Sequence, residues 1–135
     1  MNELILACAT NNGIEFVNSH FGDADYFDIY KLSKDGFKKL DRVINSSEEE
    51  KEDENTHGDP KKAKSLSKLL KDKKVEVMVG YKMGANILRM KKVFVPVLVR
   101  EINIEKGLRM VQDNFEKVVK ELNKGENREY LNLNK

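Results

Sequence analysis

Two histidines, one cysteine and a few glycine-framed turns are the groups with which this chain could do chemistry. His20 stands in Ser19-His20-Phe21-Gly22 and His57 in His57-Gly58-Asp59-Pro60, so each imidazole lies beside or one step from a glycine. A neutral imidazole nitrogen is a ligand for iron, zinc or copper, and its ordinary pKa also suits proton transfer. Taken alone, either histidine reads equally well as a loop residue bonded to backbone or open to water. A third element, Gly80-Tyr81-Lys82-Met83-Gly84, has the length to turn backbone N–H donors towards an anion, or to be a plain tight turn. Cys8 sits inside an apolar run and reads as a small core residue, because free cysteine is commonly buried.

Enzymatic readings of the same residues fare poorly. Asp23, Asp25 and Asp28 would be the carboxylates of a two-metal nuclease. Strand alternation, however, sets Asp28 beside Tyr26 and Tyr30 and opposite to Phe27 and Ile29. No matching acid ends the later strand, where Gly80 stands. Ser19 and His20 are adjacent, but no third group is at hand to orient the ring for a nucleophile–base pair. There is no Walker lysine–serine pattern and no Gly-x-Gly-x-x-Gly, so nucleotide binding has no specific support. The expectation is a protein without a catalytic step.

The elements that must position these groups follow from periodicity. Residues 4–10 are a near-continuous apolar run, suited to a central strand covered on both faces, and end at the turn signal Thr10-Asn11-Asn12-Gly13. A second strand over 26–32 and a third over 37–44 flank a hairpin turn at Asp35-Gly36. Lys38, Lys39, Asp41 and Arg42 put the third strand near an edge. Residues 45–59 read as a flexible acidic loop, with six acids and one lysine between positions 48 and 54. Asp59-Pro60 reads as an N-cap and first helical position, and Ala63, Leu66, Leu69 and Leu70 mark a helix ending near Asp72. A strand over 75–79, a short helix over 84–92 and a strand over 93–99 come next. Pro96 assigns that last strand to an edge. Ile104, Leu108, Val111, Phe115, Val118 and Leu122 form the stripe of one helix from Asn103 to Lys124, stopped by Gly125. The order βββαβαβα implies an α/β fold with helices on a five-stranded mixed sheet, order 3-2-1-4-5, strand 2 antiparallel. In that order His20, His57, residues 80–84 and two helix N-termini converge on one rim, where ligands of open α/β sheets usually sit.

The chain is 135 residues long, which predicts one domain over 1–124 followed by a loose polar tail over 125–135. No apolar run approaches the roughly 20 residues of a membrane helix. The start MNELILACAT has neither the basic opening nor the long apolar stretch of a secretory signal. A single cysteine cannot form an internal disulfide, and the expected home is the cytoplasm. The net charge of +2 conceals an asymmetry. Residues 1–59 carry 6 basic and 14 acidic side chains, whereas residues 60–135 carry 19 and 9. The basic half reads as solvated lysine-rich helix faces. No aromatics interleave the lysines, which disfavours nucleic acid.

Ser19-His20-Phe21-Gly22-Asp23-Ala24-Asp25-Tyr26-Phe27, after a short first strand and before a hairpin, resembles the signature of the dinitrogenase iron–molybdenum cofactor biosynthesis family, which includes NifX-like carriers and the C-terminal domain of NifB-like proteins. His57-Gly58-Asp59-Pro60 and Gly80-Tyr81-Lys82-Met83-Gly84-Ala85-Asn86 resemble its second and third landmarks, so that the likeness spans about residues 3–121. The resemblance implies a ribonuclease H-like, three-layer αβα fold. It further implies a non-catalytic protein that binds or carries an iron–sulfur metallocluster or a precursor of the iron–molybdenum cofactor. His20 and His57 would be the metal ligands. Asn11, Phe21, Gly22, Gly58, Gly80 and Gly84 would complete the cofactor-binding rim, with the 80–84 backbone cradling the anionic cluster. Having only Cys8, the chain departs from thiolate-rich sites, which points to transient binding or a ligand shared across a dimer. The expected partners are metallocluster donor and acceptor proteins, with the chain a monomer or weak homodimer. The alternative is a cofactor-free interaction or regulatory module that docks a partner through its charged surface.

Overall fold

The computed structural model describes residues 2–46 and 60–133. The first apolar run forms β1 (Leu4–Thr10), in which every residue except Ile5 is buried. On one side β1 pairs antiparallel with β2 (Tyr26–Ser33), which turns through Lys34-Asp35 into β3 (Gly36–Ile44) at the sheet edge. On the other side it pairs parallel with β4 (Val77–Gly80), and β5 (Val95–Leu98) follows parallel to β4. The expected order 3-2-1-4-5 is present, but the sheet has six strands. β6 (Leu131–Asn132) pairs parallel with β5, giving β3-β2-β1-β4-β5-β6.

Alternation along β1 sends its odd residues to one helical layer and its even residues to the other. Ala7, Ala9, Phe27, Ile29 and Met78 meet Ala63, Leu66 and Leu70 of α1 (Pro60–Lys71) and Met90 of α2 (Ile87–Met90). Leu6, Cys8, Val79, Val95 and Val97 meet Ile104, Leu108 and Val111 of α3 (Ile104–Asp113) and Phe115 and Val118 of α4 (Phe115–Leu122). The result is three layers, α over β over α. Burying each of these larger apolar side chains contributes about 1.5–3 kcal/mol.

Three expectations are corrected. The first concerns the segment expected as a loose tail over 125–135, of which residues 125–133 return to the sheet. Leu131 and Leu133 are buried, and the Leu133 amide donates to the Leu98 carbonyl at 2.9 Å. Arg128 donates to the carbonyls of Leu122 and Lys92, each at 2.9 Å. Two leucines flanking an asparagine are enough apolar surface to seal the end of the sheet, despite the polar residues around them. The second correction follows from the first, because the Pro96 strand is not the edge. Val95 donates towards β4, to the Glu76 carbonyl, so the Pro96 nitrogen points the other way. β6 starts opposite Val97, one residue beyond Pro96, and never needs the donor that proline lacks. The third correction is to the helices. The long final helix breaks at Asn114 (φ −114°, ψ 24°), whose Nδ2 donates to the Met110 carbonyl at 2.8 Å. The second helix spans only residues 87–90, with turns where 84–86 and 91–92 were expected to continue it. Most of the acidic loop, with His57, Gly58 and the Asp59 cap, lies outside the described residues.

Glu121 ties the last segment to α4. Its carboxylate accepts the Glu129 amide and the Lys124 ammonium, each at 3.0 Å. Burial alone would raise its pKa, but those two hydrogen bonds and the charges of Lys124 and Arg128 hold it below the ordinary glutamate range. A depressed carboxyl contributes stability above its unfolded pKa and loses it as pH falls through the folded one. Urea-unfolding midpoints are therefore expected to decline as pH drops below about 4.3. Glu121→Gln should flatten that part of the profile and cost about 1 kcal/mol at neutral pH. A variant profile that overlays the parent's would contradict the assignment.

Candidate functional site

The chain leaves β1 across the carboxyl end of the central strand, and a chain of polar contacts fixes its path. Fully buried Thr10 accepts the amides of Asn12 and Gly13 at 3.3 and 2.8 Å and donates to the Glu15 carbonyl at 2.6 Å. Asn11 Oδ1 accepts the Asp25 amide at 2.8 Å. From the end of β3, Asn45 Nδ2 donates to the carbonyls of Gly22 and Ala24 at 2.9 and 2.7 Å. Held between them is a 3-10 turn, Phe21–Asp23. Phe21 anchors it, buried and stacked on Phe27 with ring centroids 5.1 Å apart. His20, one residue earlier, keeps its side chain 59% exposed.

The loop after β4 supplies the facing wall. Gly84 has φ +86°, and a methyl group there would stand 2.8 Å from His20 Cγ and 2.9 Å from Nδ1. Both the backbone angle and the closeness of the ring therefore require glycine. A methyl on Gly80 would stand 3.3 Å from Phe21 Cδ2. His20, Phe21, Gly80 and Gly84 thus come together as the topology predicts. Among the described residues, no acceptor takes the amide N–H groups of Lys82, Met83, Gly84 or Ala85. α1 closes the third side, where Lys62 Nζ bonds Asp23 Oδ1 at 3.0 Å. The other oxygen of Asp23 lies 4.0 Å from His20 Nδ1. Nδ1 therefore faces Gly84 and Asp23, and Nε2 is the nitrogen on the far side of the ring.

Other candidates do different work. Asn11 secures the Asp25 amide, and Gly22 passes its carbonyl to Asn45. His57 and Gly58 lie outside the described residues. Burial first, and the Asp28 carboxylate second, push the Cys8 thiol well above its ordinary range, so at neutral pH it offers no thiolate. Asp28 is buried and bonded to Arg42 at 2.7 Å and Lys39 at 3.1 Å, which removes it from any carboxylate trio with Asp23 and Asp25. Among the described residues, no three His, Cys, Asp or Glu side chains are grouped to hold a metal ion. Among the described residues the rim offers one imidazole and a row of amides, donors that suit an anionic object. Sequence reasoning missed Asn45 and the Asp23–Lys62 pair. The signal for Asn45 was its place directly after a strand that ends at the same rim.

A family model described as dinitrogenase iron-molybdenum cofactor matches residues 2–123. The chain belongs to that family, and its role is accordingly connected with that cofactor. No curated protein matches the chain. No helix among the described residues is long and apolar enough to cross a membrane.

The two glycines of the rim should respond differently to alanine. Gly84→Ala is expected to cost about 1–3 kcal/mol and to shift the His20 ring resonances in NMR spectra. At Gly22 the nearest atom to an added methyl would be Lys62 Cε at 3.4 Å, an ordinary contact. Gly22→Ala should leave those resonances in place, and equal responses from the two variants would contradict this geometry.

Proposed function

We propose that the protein is a non-catalytic carrier of an iron–sulfur metallocluster or an iron–molybdenum cofactor precursor, held at the rim between the Phe21–Asp23 turn and the loop after β4. The observation that carries this reading is the exposed His20 ring seated against Gly84, next to a row of amides with no acceptor among the described residues. Imidazole is a suitable iron ligand, and cluster sulfides accept hydrogen bonds from backbone N–H groups. His20 would bind through Nε2, with Asp23 near Nδ1 helping to set the ring's orientation. His57, three residues before the start of α1, is proposed as the second ligand. Phe21, Gly22, Gly80 and Asn11 shape the rim. Such sparse ligation suits a cargo that must be handed on, from a donor protein to an acceptor in the cytoplasm. The ribonuclease H-like fold implied by the resemblance is part of the same reading, and the three-layer mixed sheet supports it.

The test is an anaerobic titration with a synthetic iron–sulfur cluster, followed by visible absorption and iron analysis. Uptake is expected at one cluster or less per chain. His20→Ala should weaken it about tenfold or more without lowering the thermal midpoint. Equal uptake by His20→Ala would remove the rim as the site. Uptake no greater than by an unrelated protein of equal charge would remove the carrier reading in favour of the cofactor-free module.

A further inference from the structure

From position 61 to 71, every exposed residue of α1 is a lysine, namely Lys61, Lys64, Lys68 and Lys71. Their 3-4-3 spacing aligns them in one ridge, about 15 Å long at the rise of an α-helix. No acidic residue interrupts the helix. Like charges at these spacings oppose helix formation, so the ridge is not there to stabilise α1. Among the described residues Lys64, Lys68 and Lys71 have no ion-pair partner, and neither does Lys74 just beyond the helix. Lys106, Lys117 and Lys120 of α3 and α4 also have no ion-pair partner among the described residues, but Glu105, Asp113, Glu116 and Glu121 interrupt those helices, and several other surface cations are paired. Arg109 pairs with Glu105, Lys34 with Glu116, Lys91 with Glu129 and Lys124 with Glu121.

We propose that this ridge is a docking surface for an acidic face of a partner protein. The charge complementarity is one-sided and local, which gives orientation and encounter rate to a protein partner. A nucleic acid fits less well. The ridge has no aromatic platform among its lysines, and exposed acids stand at both ends, Asp23 beside Lys62 and Asp72 after Lys71. These acids would repel a phosphate chain running past the ridge but would border a compact acidic patch. The ridge also starts where Lys62 touches the Phe21–Asp23 turn, so a docked partner would stand next to His20. The inference does not depend on what the rim holds.

The full chain is titrated with a labelled helical peptide carrying glutamates at the same 3-4-3 spacing, and binding is read by fluorescence anisotropy at low and physiological salt. A ridge variant, Lys64→Gln with Lys68→Gln and Lys71→Gln, is compared with a control of equal charge, Lys106→Gln with Lys117→Gln and Lys120→Gln. All six positions are exposed, and circular dichroism verifies that both variants keep the fold. The ridge variant should bind about tenfold more weakly and the control within about twofold of the parent. Equal losses in the two variants would overturn the proposal. So would tighter, ridge-dependent binding of a single-stranded oligonucleotide of equal charge, or self-association in sedimentation that the ridge variant abolishes.

Discussion

β1 and β4 lie side by side and run in the same direction, with Leu6 opposite Val77 and Cys8 opposite Val79. Two parallel neighbours necessarily end on the same side of the sheet, so the segments that leave Thr10 and Gly80 emerge together. Everything at the rim depends on that. The turn carrying His20 and the loop carrying Gly84 come from positions more than sixty residues apart in the chain, yet ring and backbone are in contact. The contact tolerates no side chain at position 84, and the rest of the neighbourhood is braced to preserve it. Phe21 is anchored on Phe27, Asn45 holds the carbonyls on either side of Asp23, and Lys62 reaches across from α1.

Burial then separates the groups that can act from those that cannot. Cys8 and Asp28 face each other across β1 and β2 in the interior. There the thiol keeps its proton, and the carboxylate is taken up by Arg42 and Lys39. His20 remains in solvent, next to amides that the fold leaves without acceptors among the described residues. Two imidazoles, His20 and the proposed His57, with several hydrogen-bond donors would bind an anionic cluster loosely, whereas a thiolate cage would hold it. On the proposed reading, that looseness is what a carrier requires.

Much of this was legible from the sequence because the informative signals were local. The apolar run at 4–10, the turn at Asp35-Gly36 and the valine-rich segments fixed the strand order, and the order fixed where His20 and residues 80–84 had to meet. What escaped was set by tertiary context. Leu131-Asn132-Leu133 is too short and too polar in its surroundings to announce a strand, and only the open side of β5 makes it one. The break at Asn114 is silent because the apolar spacing continues across it, keeping α3 and α4 on one face of the sheet. Asn45 carries no motif at all, and its two carbonyl partners lie more than twenty residues away.

The proposed carrier role has His20 Nε2 bind the metal of the cargo. Its most direct test is pulsed electron paramagnetic resonance of a paramagnetic iron–sulfur cluster loaded onto chain labelled with nitrogen-15 at histidine only. Couplings to two histidine nitrogens are expected, of which the one from His20 disappears in His20→Ala while the one from His57 and the fold are retained. A loaded cluster with no histidine coupling, or with couplings unchanged in His20→Ala, would contradict the account.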